Sequence, residues 1–349
     1  MNYELSGDSE RSRLVAESSQ QRSYRYFCEK GSVKKFCFLL SLLCSDHLIA
    51  QQKEDYTFKV IPLGVYGSMH EGNLSSYMLA VKNSNDYVCL DAGTLHDGIE
   101  KAIREKTIED SAADVLKKDI KGYLLSHPHL DHLAGLIINS PDDSSKNIYA
   151  LPFCISTIQE KYFSWKSWAN FGDEGEKPLL KKYHYVTLPE GSETPLANTN
   201  MFVQPFELSH SNPNKSTAFL VRYDSSYVLY LGDTGADTIE NSDKLDKLWH
   251  YIAPLVQNNQ LKGIFIEVSF PDEQQKDKLF GHLTPQLLYQ EMQKLSSLTG
   301  KGSLQNIPVV ITHIKPNGNN EMLIKKELAQ KNDLQLSLIF PQQGMGIKL

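Results

Sequence analysis

The chain has 349 residues, 40% hydrophobic and 22% charged, which supplies a large core and excludes a disordered or fibrous protein. Its formal net charge is −6 with no long basic run, which argues against nucleic acid as the partner. The length suits one large domain or two modest ones.

The N-terminus reads as an export segment. Lys34-Lys35 precede the apolar run Phe36–Cys44, and the small residue Ala50 stands where a signal peptidase would cut. The run is well short of the roughly 20 residues of a spanning helix, so no stable membrane span is expected. The polar residues 1–33 do not fit such a signal. No Met lies between Met1 and Met69, so a mis-assigned start is suspected, with Val33 the candidate for the true one. The expected organisation is an extension plus signal peptide over 1–50 and a single domain over 51–349, in the periplasm or secreted. Beyond residue 50 only Cys89 and Cys154 remain, both in apolar contexts, and they read as buried free thiols.

From residue 56 the pattern is rich in strands. "TFKVIPLG", "SYMLAVK" and "DYVCLDAG" are short β-type runs broken by Gly and Asn, as in antiparallel pairs. Helical stretches follow in "HDGIEKAIREK" and "DSAADVLKKDI", then the strand "GYLLS" delivers a loop, "HPHLDH". "NIYALP" reads as a strand, residues 153–170 as helical, and 171–200 as a polar surface excursion. The second half repeats the order. Strands "MFVQPFELSH", "TAFLVRY" and "YVLYLGDTG" precede a helix near 243–253, then come "KGIFIEVSF", a helix from Thr284, "IPVVITHI", a helix near 320–330 and a last strand "LQLSLIF". Two halves, each with its own sheet and helices, fit a four-layer αββα sandwich. The early strands are too close together for the crossovers of a doubly wound parallel sheet.

Six residues contain His127, His129, Asp131 and His132, although the chain has only 11 histidines. Imidazole nitrogens and carboxylate oxygens are the donors that zinc takes, and such a cluster needs partners from elsewhere. Sites in α/β proteins collect at the C-terminal ends of strands. Three later strands end in a potential ligand: His210 in "ELSHS", Asp233 in "LGDTG" and His313 in "ITHIKP". The set divides between two ions, His127, His129 and His210 on one, Asp131, His132 and His313 on the other, with Asp233 bridging. Singly, a strand-end His is more often a capping or hydrogen-bonding residue than a ligand, and Asp233 could be only a turn residue; the cluster changes that weighting. His70, His96, His184 and His250 lack such placement and read as surface or structural, while His47 falls in the export segment.

These residues resemble a known family. "HPHLDHLAGLIINSP" is similar to the signature of the class II cyclic-nucleotide phosphodiesterases; its first six residues fit the H-x-H-x-D-H shared by the whole metallo-β-lactamase superfamily. "LSHS", "LGDTG", "FIEVSF", "GHLTP" and "ITHIKP" follow in the family's order, so the resemblance covers roughly residues 56–349. It implies a metallo-β-lactamase-like fold and two divalent ions, zinc foremost. The implied reaction is hydrolysis of a 3′,5′-cyclic nucleotide, cyclic AMP first, to the 5′-monophosphate. Asp131 is expected to orient the attacking water. Related superfamily enzymes that process tRNA 3′ ends use a Glu–His pair on the leaving oxygen. Carried over, Glu267 orients His282 and raises its pKa, and His282 donates the proton; the alternative is that Glu267 is a buried structural carboxylate and His282 only caps the helix after Thr284-Pro285. The loop "GVYGSMHEGN" implies substrate contacts from Glu71 and Asn73, with Met69-His70 where smaller residues are expected. Rival readings are another hydrolase on this scaffold, acting on an RNA end, a lactone or a thioester, and a non-catalytic metal- or nucleotide-binding module. The oligomeric state stays open.

Overall fold

Strands whose residues alternate between two apolar environments build the molecule, which is described by a computed structural model over residues 56–305 and 307–349. The expected export segment and the start near Val33 lie outside the described residues. The first sheet contains β1 (Phe58–Gly64), β2 (Ser76–Val81), β3 (Tyr87–Leu90), β4 (Ile120–Leu124), β5 (Lys146–Ala150) and β6 (Tyr183–Thr187). The second contains β7 (Thr194–Pro195), β8 (Phe202–Ser209), β9 (Lys215–Tyr223), β10 (Ser226–Tyr230), β11 (Leu261–Glu267), β12 (Pro308–Thr312) and β13 (Ser337–Ile339). The short β14 (Ile347–Lys348) returns to the first sheet and pairs antiparallel with β1.

Each sheet begins antiparallel and ends parallel. β1, β2 and β3 pair antiparallel, then β3 to β6 run parallel. In the second sheet β7 to β10 are antiparallel and β10 to β13 parallel. Pairing register decides which face each side chain covers, because successive strand residues point to opposite sides. Val88 and Leu90 of β3 and Val228 and Tyr230 of β10 share one buried cluster between the sheets. Their neighbours Cys89 and Leu229 point outward into two separate clusters beneath the helices. Three apolar layers between four structural layers make the expected αββα sandwich. Cys89 and Cys154 are free and buried, as expected.

Two expectations fail locally. Residues 153–170 are helical only through Pro152–Thr157 and a wider turn at Ile158–Tyr162. Phe163 then turns inward to stack on Tyr183, with ring centroids 5.8 Å apart, and Trp165 takes a left-handed φ of 61° that no helix accepts. The polar stretch 171–200 is not only a surface excursion, since it contains β6 and β7. β6 is the edge strand of the first sheet, with Tyr183 and Tyr185 buried around exposed His184.

Candidate metal centre

The strand directions gather the chemistry at one edge. β1, β3 and β4 run the same way, as do β8, β10, β11 and β12, so their C-terminal ends collect at one margin of each sheet. His127 follows β4, His210 follows β8, His313 follows β12, and Glu267 is the last residue of β11. Asp233 comes three residues after β10. The helix Leu130–Asn139 starts directly after His129 and carries Asp131 and His132 in its first turn.

All seven expected ligands meet. His127, His129 and His210 form one group with donor atoms within 4.8 Å of one another, and Asp131, His132 and His313 form another. Asp233 Oδ2 lies between them, 3.3 Å from Nε2 of His132, 3.3 Å from Nε2 of His313, 3.7 Å from Nε2 of His127 and 3.8 Å from Nε2 of His210. His313 Nε2 is 3.2 Å from Asp131 Oδ2, and His129 Nδ1 is 3.3 Å from His210 Nε2. Nε2 of His127, Nε2 of His132 and Oδ1 of Asp233 are buried and have no hydrogen-bond partner among the described residues. Buried polar atoms rarely go unpaired, so this donor set fits divalent ions as its missing partners.

Neighbours that the sequence reading missed set the imidazole tautomers. His132 Nδ1–H donates to Asp91 Oδ2 at 2.7 Å, and the Ser126 hydroxyl donates to the same oxygen at 2.7 Å. Ser126 Oγ in turn accepts from His127 Nδ1–H at 2.9 Å, so one buried carboxylate braces a histidine of each group. Tyr230, from the other sheet, donates to Asp91 Oδ2 at 2.6 Å. His210 Nδ1–H donates to the Gly281 carbonyl at 2.8 Å, and His313 Nδ1–H to Ser269 Oγ at 2.9 Å. In these four histidines Nε2 is left as the lone-pair donor, the arrangement that outer partners give metal-ligating histidines.

Glu267 and His282 also meet, Oε1 to Nδ1 at 2.7 Å, with the Ser269 hydroxyl donating to Glu267 Oε2 at 2.7 Å. His282 reaches into a group with His210 and Asp233, but its Nδ1 is engaged by Glu267. The expected rise in the His282 pKa is not found. Burial outweighs the neighbouring Asp233 carboxylate and pushes the imidazole down to about 3. Burial, with help from the Asp233 charge, also pushes the Glu267 carboxyl up to about 7. Both shifts disfavour charge in the pair.

The remaining charges follow their surroundings. Burial opposes charge on His132, but Asp233 and Asp91 outweigh it and hold it well above the ordinary value. Burial and the neighbouring His132 hold His127 well below it, and burial pushes His210 down to about 4. Against their own burial, Asp233 and Asp131 are held low by facing histidines.

Glu71 and Asn73 are not brought into the cluster. The Asn73 side-chain oxygen accepts from Val65 N–H at 3.0 Å, and the Glu71 carbonyl accepts from the Thr94 hydroxyl, while Glu71 itself is exposed. They shape the loop, and Ser68 is the residue of that loop that reaches in, its N–H 3.1 Å from Asp131 Oδ2. Gly67 packs face to face with a ligand, since an added Cβ would stand 2.2 Å from His313 Cε1. His70, His96, His184 and His250 are exposed, as expected.

Comparison with known proteins follows the same lines. The family model described as class-II cAMP phosphodiesterases matches residues 55–344. A 3′,5′-cyclic-nucleotide phosphodiesterase of Aliivibrio fischeri is 42% identical over 307 residues, covering 84% of this chain and 93% of the relative. A probable 3′,5′-cyclic-nucleotide phosphodiesterase of Yersinia pestis is 38% identical over 302 residues, covering 82% and 88%. Among solved structures, unliganded yeast PDE1 matches with a TM-score of 0.75 at 22% identity, over 84% of this chain and 100% of that one. The metallo-beta-lactamase fold protein YhfI of Bacillus subtilis matches with a TM-score of 0.54 at 17% identity, over 83% and 98%. These two likenesses bear on the fold alone.

Proposed function

The chain belongs to the class-II cAMP phosphodiesterase family and is a phosphodiester hydrolase; on that premise we propose a two-ion enzyme that converts 3′,5′-cyclic nucleotides, cyclic AMP preferred, to nucleoside 5′-monophosphates. What supports this reading most is Asp233, whose single Oδ2 lies within 3.8 Å of histidine nitrogens from both groups. A carboxylate shared in this way suits two ions held close together, the arrangement used for phosphoryl displacement.

In this reading His127, His129 and His210 hold one ion, Asp131, His132 and His313 the other, and Asp233 joins them, with zinc the foremost candidate. Such ions, when bound, make water nucleophilic near neutral pH and offset charge on phosphoryl oxygens. Asp131 orients the attacking water in line with the 3′ oxygen. Glu267 holds His282 by Nδ1, which leaves Nε2 to protonate that leaving oxygen. Burial, with help from the neighbouring Lys315 charge, keeps the imidazole neutral, and the arriving phosphate anion favours its charged form against that penalty.

The test is chemical. Purified protein releases 5′-AMP from cyclic AMP, a chelator abolishes release, and added divalent metal restores it. Bound metal without turnover favours a sensor module, and turnover of a lactone or an RNA end in its place favours those hydrolases. Export is part of the proposal and rests on Lys34-Lys35 with Phe36–Cys44. Among the described residues no helix is long and apolar enough to cross a membrane. Sequencing the mature N-terminus should find it near Gln51, and one upstream of residue 33 contradicts the mis-assigned start.

A further inference from the structure

Two residues past His313, Lys315 sits on the rim of the centre with its backbone fixed. Its N–H donates to the Ser269 carbonyl at 3.2 Å, and its own carbonyl accepts from Asn317 N–H at 2.8 Å and from Asn320 Nδ2 at 3.3 Å. Ser269 is the same residue whose hydroxyl touches both Glu267 and His313. The root of the Lys315 side chain is thus tied to the Glu267–His282 pair.

The side chain is partly buried, and its ammonium stands 5.5 Å from the centroid of the Phe270 ring. That ring lies edge-on against His282, with centroids 5.8 Å apart. Many lysines of the molecule meet a carboxylate, as Lys294 meets Glu291 and Lys331 meets Asp272. Among the described residues Lys315 has no carboxylate within ion-pair distance. A cation partly withdrawn from water normally has a counter-charge. A ring face repays only part of that. The field of Lys315 also reaches His282, where it works against protonation.

We propose that Lys315 is a substrate-contacting residue whose ammonium takes a non-bridging phosphoryl oxygen of the nucleotide, on the side of the centre where His282 meets the leaving oxygen. The inference rests on the phosphodiesterase reading, because the missing counter-charge is the substrate's own phosphate. Phe270, which touches both the ammonium and the His282 ring, is the wall along which the lysine stem is laid. Once the 3′ bond breaks, the product carries a 5′-phosphate of higher charge, so the same contact holds product more tightly than substrate.

The test measures direct binding of 5′-AMP and of adenosine to metal-loaded wild type, Lys315→Met and Lys315→Arg, with the metal content of each determined. Adenosine has the same base and ribose but no phosphate. Lys315→Met should weaken 5′-AMP at least about ten-fold, the size of a lost charge-assisted hydrogen bond. Adenosine affinity and metal content should stay unchanged, and Lys315→Arg should recover most of the 5′-AMP affinity. Equal 5′-AMP affinity in wild type and Lys315→Met overturns the proposal, and so does an equal loss for adenosine. Wild-type turnover of cyclic AMP, measured on the same preparation, reports separately on the phosphodiesterase reading.

Discussion

At His282 two demands oppose each other. A proton donor near neutral pH needs an imidazole that can be charged, yet burial holds this one near pKa 3 and lifts its Glu267 partner to about 7. The pair therefore acts only when an anion arrives, and its contribution should depend on the leaving group. His282→Ala is expected to slow cyclic AMP hydrolysis by two orders of magnitude or more, in line with general-acid contributions. A nitrophenyl phosphodiester, whose leaving group needs no proton, should slow far less; steady-state rates on both substrates check this, and equal losses would count against the acid role. Asp91 gives a second prediction at this scale. Asp91→Asn keeps the shape but weakens the acceptor shared by His132, Ser126 and Tyr230. Metal affinity should fall 10- to 100-fold in a competition titration with a chromophoric chelator. An unchanged affinity would show that the brace does not tune the ligands.

Strand ends decide how the elements cooperate. Four of the seven ligands were legible as a cluster within six residues after β4, and the other three because each breaks an apolar run at the point where a strand must stop. Asp91 follows β3 in the same manner in "CLDAG", but no second ligand type stands beside it in sequence to mark it. Tyr230, Ser126 and Ser269 carried no such signal, since their partners Asp91, Asp91 and His313 lie 139, 35 and 44 residues away in sequence. β6 was hidden because "YHYVT" alternates correctly but sits among Gly, Pro and charged residues, and β14 has only two residues to alternate. Tyr230→Phe tests the brace between the sheets. It strips one buried donor from Asp91, so unfolding by denaturant should show a loss of about 1–3 kcal/mol. The loop Leu279–His282 is equally constrained, because Gly281 has φ +74° and an added Cβ would lie 2.1 Å from Ser211 N. Gly281→Ala should displace the carbonyl that holds His210 and lower metal affinity, as read by the same competition titration.

The whole molecule buries four histidines and one carboxylate of the centre, His127, His132, His210, His313 and Asp233, at one edge, and its stability must then depend on pH. The folded values of His282 and His210, about 3 and about 4, lie below the ordinary 6.5. The unfolded chain therefore binds more protons than the folded one as pH drops below 6.5, and stability falls with acidification. Glu267, raised to about 7 from 4.5, binds its proton in the folded state and opposes this between those values, but it is one group against four, since His127 and His129 are lowered as well. His132, held above 6.5, opposes the trend only above that pH. Low-held Asp131 and Asp233 add to the loss at still lower pH. Metal-free protein should thus show a Tm that falls from pH 6.5 towards pH 4, followed by circular dichroism. A flat profile would mean that the histidines are not buried uncharged. Saturating metal should raise Tm at neutral pH, and the gain should shrink as the ligands protonate.

The most direct measurement is elemental analysis of the purified protein beside His210→Ala and His313→Ala, with cyclic AMP turnover assayed on the same preparations. Two ions per chain are expected in the wild type, fewer in each variant, and 5′-AMP production lost in both. Full turnover by wild type stripped of metal, or two ions retained by both variants, would contradict a two-ion centre at the joined sheet edges.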